Sequence, residues 1–141
     1  MRGVPSNERQ RIAAYGVVRD EEGRLLLARA AHTLTIGGSW FLPGGGVQHG
    51  ETPVDSVRRE IEEESGLAVT VGPLLDVLSD VRTLPDGTSL HTVRLIYDVS
   101  SWHGTLRPEV DGTTDDVAWF TLDEARELPL ARYVETVVAG L

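Results

Sequence analysis

The segment from Gly45 to Leu67 constrains the fold more than any other part of this chain. It begins with two glycines, Gly45 and Gly46, and continues into a stretch that carries residues typical of the start and the end of one helix. Thr52 is a favourable N-cap residue, Pro53 suits the first helical position, and Gly66 suits the left-handed position that ends a helix. The sequence therefore predicts a helix from Pro53 to Ser65.

The predicted helix has two distinct faces. One is apolar, because Val54, Val57 and Ile61 recur at the spacing of a single helical stripe, and we expect it to be buried. Glutamates spaced i, i+3 and i+4 share a second face, about a quarter turn away. These are Glu60, Glu63 and Glu64. The acidic face therefore borders the edge of the core, where a cleft can form.

Clustered carboxylates on a helix repel one another, by a few tenths of a kcal/mol for each i, i+4 pair. They also lie near the helix C-terminus, where the macrodipole is already negative. On spacing alone, a solvated acidic face is the commoner explanation. The glycines before the helix favour a different one, because they let the backbone approach a ligand closely. Divalent cations such as Mg²⁺, which prefer oxygen ligands and phosphate, would remove the repulsion.

This segment resembles the Nudix box, the signature of hydrolases that cleave nucleoside diphosphates linked to another group. The pattern is G-x5-E-x7-R-E-I-x-E-E-x-G-L, and the chain matches it without departure as GGVQHGETPVDSVRREIEEESGL. The resemblance implies a mixed α/β (α+β) fold, built as an α/β/α sandwich around a mixed β-sheet. We expect a single domain over residues 1–141, with a flexible N-terminal segment over residues 1–11.

The resemblance also implies roles for individual residues. The carbonyl of Gly44 and the carboxylates of the acidic face would hold Mg²⁺, with Mn²⁺ as a substitute. The expected metal ligands are therefore Gly44, Glu60, Glu63 and Glu64. Glu60 or Glu63 is the expected general base. Arg59 is expected to be structural, pairing with a box carboxylate such as Glu51 and orienting it.

Other candidates lie outside the acidic helix. Many members of this family carry a functional acidic residue in the loop before the last strand, which points here to Asp116, with Asp115 as the alternative. Candidate substrate contacts are Gly45, Gly46, His32, Arg82 and Arg94. Trp119 and Phe120 could stack on a base, but aromatic residues of this kind more often belong to a core.

The remaining elements are predicted from apolar runs and turn signals. Strands are expected at residues 12–18, 24–28, 40–42, 90–99 and 117–120, and over 67–79 with an interruption at Gly72-Pro73. Two further helices are expected, at residues 123–127 and 130–140. Residues 30–39 and 107–116 are expected to be loops.

Composition excludes several classes of function. The chain has no cysteine, and all 13 of its basic residues are arginine, so thiolate metal sites and lysine nucleophiles are absent. A net charge of −9 disfavours binding to nucleic acid, and also to a pyrophosphate unless cations intervene. No segment resembles a signal peptide or a membrane span, so a cytoplasmic location without membrane contact is expected.

The sequence thus predicts a metal-dependent hydrolase that uses water to cleave a phosphoanhydride of a small nucleotide. A nucleoside triphosphate, ADP-ribose or a similar compound is the expected substrate, and the box does not distinguish among them. The alternative is a nucleotide-sensing module of the same fold that does not cleave its ligand. Such modules typically lose box glutamates, and this chain retains them. Homodimers are common in the family, and a homodimer is compatible with this sequence.

Overall fold

The structure is a computed structural model that describes residues 7–32 and 37–141. It is a mixed α/β fold, as predicted. In chain order the elements are β1 (Glu8–Val17), β2 (Leu25–Ala30), β3 (Trp40–Phe41), β4 (Gly44–Gly46), α1 (Pro53–Ser65), β5 (Ala68–Thr83), β6 (Ser89–His103), β7 (Thr114–Phe120), α2 (Leu122–Arg126) and α3 (Arg132–Ala139). No helix in the described part of the chain has both the length and the apolar character to cross a membrane.

The strands of the described residues form a larger mixed sheet and a smaller antiparallel one. The 4-stranded sheet has the order β4-β1-β6-β5. Within it, β1 and β6 run parallel, whereas β4 and β5 are antiparallel to their neighbours. The 3-stranded sheet has the order β3-β2-β7 and is antiparallel throughout. The mixed sheet predicted for the chain is therefore present, accompanied by a second sheet.

Strand β1 divides the core, because alternate residues of a strand point to opposite faces. Ala13 and Tyr15 belong to one buried cluster, which includes Val134 of α3. Ala14 belongs to a second cluster, which includes Val57 and Ile61 of α1. Helices α1 and α3 therefore cover opposite faces of the larger sheet.

Helix α1 has the bounds and the caps that its sequence predicts. The Thr52 hydroxyl accepts a hydrogen bond from the Asp55 amide at 3.1 Å. Gly66 ends the helix with a φ of 78°, in the left-handed region. On the apolar stripe, Val57 and Ile61 are fully buried, whereas Val54 is only partly covered. The local signals of this segment are thus sufficient to place its carboxylates.

Two other predictions need correction. The flexible segment predicted for residues 1–11 is wrong for Glu8 to Arg11, which pair with Ser89 to Thr92 of β6; residues 1–6 lie outside the described residues. Strand β5 does not end at Ser79 or break at Gly72-Pro73. It continues to Thr83 because shifts in its register with β6, between Thr70 and Asp76, accommodate the irregular segment.

Candidate active site

A cleft with a volume of ≈ 520 Å³ opens on the α3 side of the larger sheet. Its floor follows from the register of the strands. Arg11 of β1 lies beside Thr92 of β6, which lies beside Asp80 of β5, so all three share one face. Tyr15 and Arg94 belong to the same face and also line the cleft. Such a volume is within the range typical of small-molecule sites.

The glycine strand β4 connects this cleft to helix α1 on the opposite face. Gly44 pairs with Tyr15, and a Cβ at Gly44 would clash with the Ala14 carbonyl and lie 2.6 Å from the Tyr15 Cα. Its φ of 149° also disfavours any other residue. A Cβ at Gly45 would come within 3.0 Å of the Glu60 carboxyl. Because β4 has no side chains, carboxylates from α1 can reach past it into the cleft.

Glu64 is the most buried of these carboxylates, with 4% of its surface exposed. Its Oε1 atom accepts a hydrogen bond from the Gly44 amide at 2.8 Å. Burial raises the pKa of Glu64 well above its usual range, and the charge of Glu60 raises it further. Burial also raises the pKa of Glu60, although Arg59 opposes this effect. Both carboxylates therefore lie in an environment that favours an additional positive charge.

Arg59 holds the acidic cluster together. Its Nε and Nη2 atoms donate to the two carboxylate oxygens of Glu51, at 2.7 and 3.0 Å. Its Nη1 atom donates to Glu60 at 3.0 Å and lies 3.3 Å from Glu63. The bidentate bond from Arg59 lowers the pKa of Glu51 to about 2. The pairing of Arg59 with Glu51 that the family resemblance implied is thus present in the structure.

The donors at this end of the cleft are suited to a hard divalent cation. Glu60 and Glu64 offer carboxylate oxygens that are mostly shielded from water, beside the backbone of Gly44, and Mg²⁺ prefers oxygen ligands. Within residues 7–32 and 37–141, however, the acidic and histidine side chains do not form a ready-made cluster of three or more. Since Arg59 contacts both Glu60 and Glu63, these side chains would reorient to share a cation.

The structure does not bring every predicted residue to the cleft. Asp116 accepts a hydrogen bond from the Val117 amide at 2.8 Å and is absent from the cleft lining. Asp115 is bound to Arg29 at 2.7 Å. The side chain of His32 is 87% exposed and lies 3.6 Å from Asp115, also outside the cleft. By contrast, the glycines of β4 and the predicted substrate contacts Arg82 and Arg94 do line it.

Glu109 is the acidic loop residue that the sequence reasoning missed. Its Oε1 atom accepts hydrogen bonds from the amide and the hydroxyl of Thr114, at 3.1 and 3.0 Å. Glu109 lines a pocket together with Arg59 and Glu63 of α1, and its negative charge helps to raise the pKa of both Glu60 and Glu64. The one available signal was that Glu109 is the only glutamate of the predicted loop at residues 107–116.

The aromatic residues near the last strand are part of the core rather than the cleft. Trp119 packs beside Trp102 with ring centroids 5.0 Å apart. Phe120 meets Trp40 edge to face, also at 5.0 Å. Neither Trp119 nor Phe120 lines the cleft. Core packing, the interpretation that the sequence favoured for this pair, accounts for both side chains.

Comparisons with known proteins identify relatives of this chain. The NUDIX domain profile matches residues 9–139. The chain is 35% identical to a MutT-like protein of Streptomyces ambofaciens over 82% of this chain and 67% of that protein. It is 31% identical to the nucleoside triphosphatase NudI of Enterobacter sp. (strain 638) over 86% of this chain and 89% of that protein. The crystal structure of a MutT NUDIX hydrolase from Burkholderia pseudomallei superposes with a TM-score of 0.79 at 28% identity, over 93% of this chain and 97% of that one.

Proposed function

Because this chain belongs to the NUDIX family and is a pyrophosphohydrolase, we propose that it cleaves a phosphoanhydride of a small nucleotide by attack of water. We further propose that Mg²⁺ is its cofactor and that Mn²⁺ can substitute. One observation carries the proposal. Two carboxylates from α1, Glu60 and Glu64, enter the cleft beside the backbone of the glycine strand, where burial raises the pKa of each.

The cation would be held by the carbonyl of Gly44 and by the carboxylates of the acidic face, Glu60, Glu63 and Glu64. When bound, it would neutralise charge on the diphosphate and lower the pKa of a water molecule. Glu64 is already held in place by the Gly44 amide. Strand β4 lies at the edge of its sheet in the described part of the chain, and alternate residues of such a strand direct their backbone groups outward. Gly45 pairs with Ala14 of β1, whereas the Gly44 amide faces outward to Glu64, so the amide of Gly46 also faces outward and can meet phosphate oxygens.

Glu63 is the general base in this proposal. Its side chain is 49% exposed, so a proton taken from water can pass on to solvent. Glu60 is the second candidate, but it is more buried and accepts a bond from Arg59. Glu109 replaces Asp116 as the acidic loop residue that supports the site, because it lines the same pocket as Glu63 of α1. A general base must lie within hydrogen-bond distance of the attacking water or be connected to it through one further water molecule.

Arg59 is a positioning residue rather than a catalytic one. It joins Glu51, which precedes α1, to Glu60 within the helix, and so fixes the direction in which Glu60 projects. Replacing Arg59 by lysine would keep the charge but lose the bidentate geometry. The net charge of −9 supports a small nucleotide rather than nucleic acid as the substrate, and we propose that the protein acts in the cytoplasm.

A substrate panel at about 5 mM Mg²⁺, enough for a weakly held ion, tests this function. Release of phosphate and pyrophosphate is measured for the wild type, Glu63→Gln and the matched control Glu62→Gln, which removes an exposed carboxylate from the adjacent position. We expect one class of nucleotide to turn over only with metal. Glu63→Gln should lower kcat by at least about 100-fold, the scale of losing a catalytic base, whereas Glu62→Gln should not.

Three results would contradict parts of the proposal. Near-normal turnover by Glu63→Gln would exclude Glu63 as the base and leave Glu60 as the next candidate. Nucleotide-dependent thermal stabilisation of the wild type, without turnover of any compound in the panel, would favour the nucleotide-sensing module. Turnover that persists in excess chelator would exclude the divalent cation.

A further inference from the structure

Three arginines line the part of the cleft that lies away from the acidic helix. They are Arg11 of β1, Arg82 of β5 and Arg132 at the start of α3, and we call them the arginine wall. Arg11 lies closest to the glycine strand, since its Nε is 3.4 Å from where a Cβ of Gly46 would be. Strands β1 and β5 flank β6, and Arg82 lies two residues along from the position opposite Arg11, so their backbones are about 12 Å apart.

The arginine wall has no carboxylate partner. None of its members forms an ion pair with any of the described residues, and residues 1–6 and 33–36 contain no Asp or Glu. The neighbouring Arg94 is different. It donates to Asp80 and to the Tyr15 hydroxyl, both at 2.8 Å, and lies 4.5 Å from the ring centroid of Tyr133. Asp80 is therefore already engaged by Arg94.

Helix α3 begins at the same place. Its N-cap residue, Ala131, has no side chain that can accept a hydrogen bond from the first turn. The first N–H groups of a helix have no intrahelical partner and favour an anion. Independently, Tyr133 lines the cleft with only 5% of its surface exposed, and its hydroxyl has no hydrogen-bond partner among the described residues. A ligand group in this part of the cleft would meet the backbone N–H groups of this first turn, whereas the hydroxyl of Tyr133 is enclosed by protein.

The charge of the arginine wall is opposite to that of the chain as a whole. The protein has a net charge of −9, yet these three cations line the cleft without an ion pair to any of the described carboxylates. A carboxylate placed beside these arginines would stabilise them. The chain contains 22 Asp and Glu residues, yet none of those described forms an ion pair with the arginine wall. The fork of the guanidinium matches phosphate oxygens in a bidentate manner. Unpaired arginines at this position indicate a phosphate ligand.

We propose that the arginine wall binds a phosphate group that the substrate carries in addition to the scissile diphosphate. This inference rests on the proposed function and narrows the class of substrate. The extra phosphate is either the third phosphate of a nucleoside triphosphate or a phosphomonoester elsewhere on the nucleotide. Substrates whose distal group is uncharged, such as ADP-ribose, leave the arginine wall without its ligand and are hydrolysed less efficiently.

Binding of inorganic tripolyphosphate, measured by calorimetry in excess chelator, tests the subsite without catalysis or metal. Arg82→Gln and Arg132→Gln should each weaken binding by about tenfold or more, the typical effect of losing one charge-assisted hydrogen bond. The control is Arg126→Gln, which removes the same charge from an exposed residue paired with Asp123 and absent from the cleft. Equal affinity in all four proteins, or equal weakening by the control, would overturn the proposal.

Pairs of substrates that differ by one phosphate identify its source. ATP is compared with ADP, and NADPH with NADH, by kcat/KM at saturating Mg²⁺. If the third phosphate is the ligand, Arg82→Gln and Arg132→Gln should lower the ATP:ADP ratio by about tenfold. If a remote phosphomonoester is the ligand, they should lower the NADPH:NADH ratio instead.

Ratios that match those of the wild type would contradict an additional phosphate ligand. Failure of the wild type to hydrolyse any of these compounds would count against the proposed function, whereas the calorimetric result would still decide whether the arginine wall is an anion subsite.

Discussion

The two ends of the cleft are built in different ways. At one end, Glu51, Arg59, Glu60 and Glu64 come from a single continuous segment and form a network of ion pairs and hydrogen bonds. At the other end, Arg11, Arg82 and Arg132 come from three distant elements and form no ion pairs among the described residues. Under the proposed function, the carboxylates that would hold a cation are already bonded to other groups of the protein before a ligand arrives, whereas the arginines proposed for recognition have no such partner among the described residues.

Glu64→Gln gives the strongest test of the fixed end. The amide keeps a similar shape and can still accept from the Gly44 amide, but it removes the charge that a cation needs. We expect kcat to fall by at least about 100-fold, as for the loss of a metal ligand. The metal-free variant should be more stable to urea by about 1 kcal/mol, because a buried and unpaired charge is gone. Loss of both activity and stability would show instead that Glu64 is needed for folding.

Gly44→Ala tests whether the glycine strand must lack side chains. The new methyl group would clash with β1, and the residue would keep a φ of 149°, so we expect a loss of about 3 kcal/mol in the free energy of unfolding. Gly50→Ala is the matched control. Gly50 also has a positive φ, of 79°, but open space around it, so about 1 kcal/mol is expected. Similar losses in urea titrations of both variants would mean that conformation, not the clash, limits β4.

Acid should weaken the ion pair between Glu51 and Arg59, whereas the arginines of the arginine wall stay charged throughout the acidic range. The pKa of Glu51 is lowered from 4.5 to about 2 in the folded protein, mainly by Arg59. Its contribution to stability is therefore complete above about pH 4.5 and is lost as the pH falls towards 2. The wild type should be more stable than Glu51→Gln above about pH 4.5, and this difference in the free energy of unfolding should shrink as the pH falls towards 2. A difference that stays constant from pH 6 to pH 2.5 in urea titrations would contradict this assignment.

Arg82→Gln should have the smallest effect on stability, and Arg94→Gln sharpens the comparison. Arg82 is exposed and forms no ion pair with the residues that the structure describes, so its loss should change the free energy of unfolding by no more than about 0.5 kcal/mol. The side chain of Arg94 is only 13% exposed and binds Asp80 and Tyr15, so its loss should cost about 2 kcal/mol. Equal costs in chemical denaturation would show that the arginine wall also supports the fold.

The same contrast explains what the sequence could predict. Helix α1, its caps and its acidic face depend on residues within a few turns of one another, so spacing alone located them. The pairing of Arg59 with Glu51 was implied by the family resemblance, and it also lies within this short segment. Every correct inference about the acidic end of the cleft therefore came from local sequence.

The remaining features depend on contacts between distant parts of the chain. Asp116 lies within β7 and accepts a bond from the next amide of that strand, whereas Glu109, in the preceding loop, lines the same pocket as Glu62 and Glu63 of α1. Arg11 and Arg132 belong to the cleft only because β1 runs beside β6 and α3 covers that face. His32 had no comparable support and lies outside the cleft. Such placements follow from tertiary packing, which one sequence does not reveal.

The absence of side chains on β4 has a consequence for how such a site can diverge. A side chain at Gly45 would obstruct Glu60, and one at Gly44 would clash with β1, so selection should remove variants at these two positions. The floor of the cleft is different, because the arginine at position 82 projects from a surface strand and can be exchanged without disturbing the scaffold. A descendant of this protein could therefore acquire a new preference among nucleotides while retaining the same reaction.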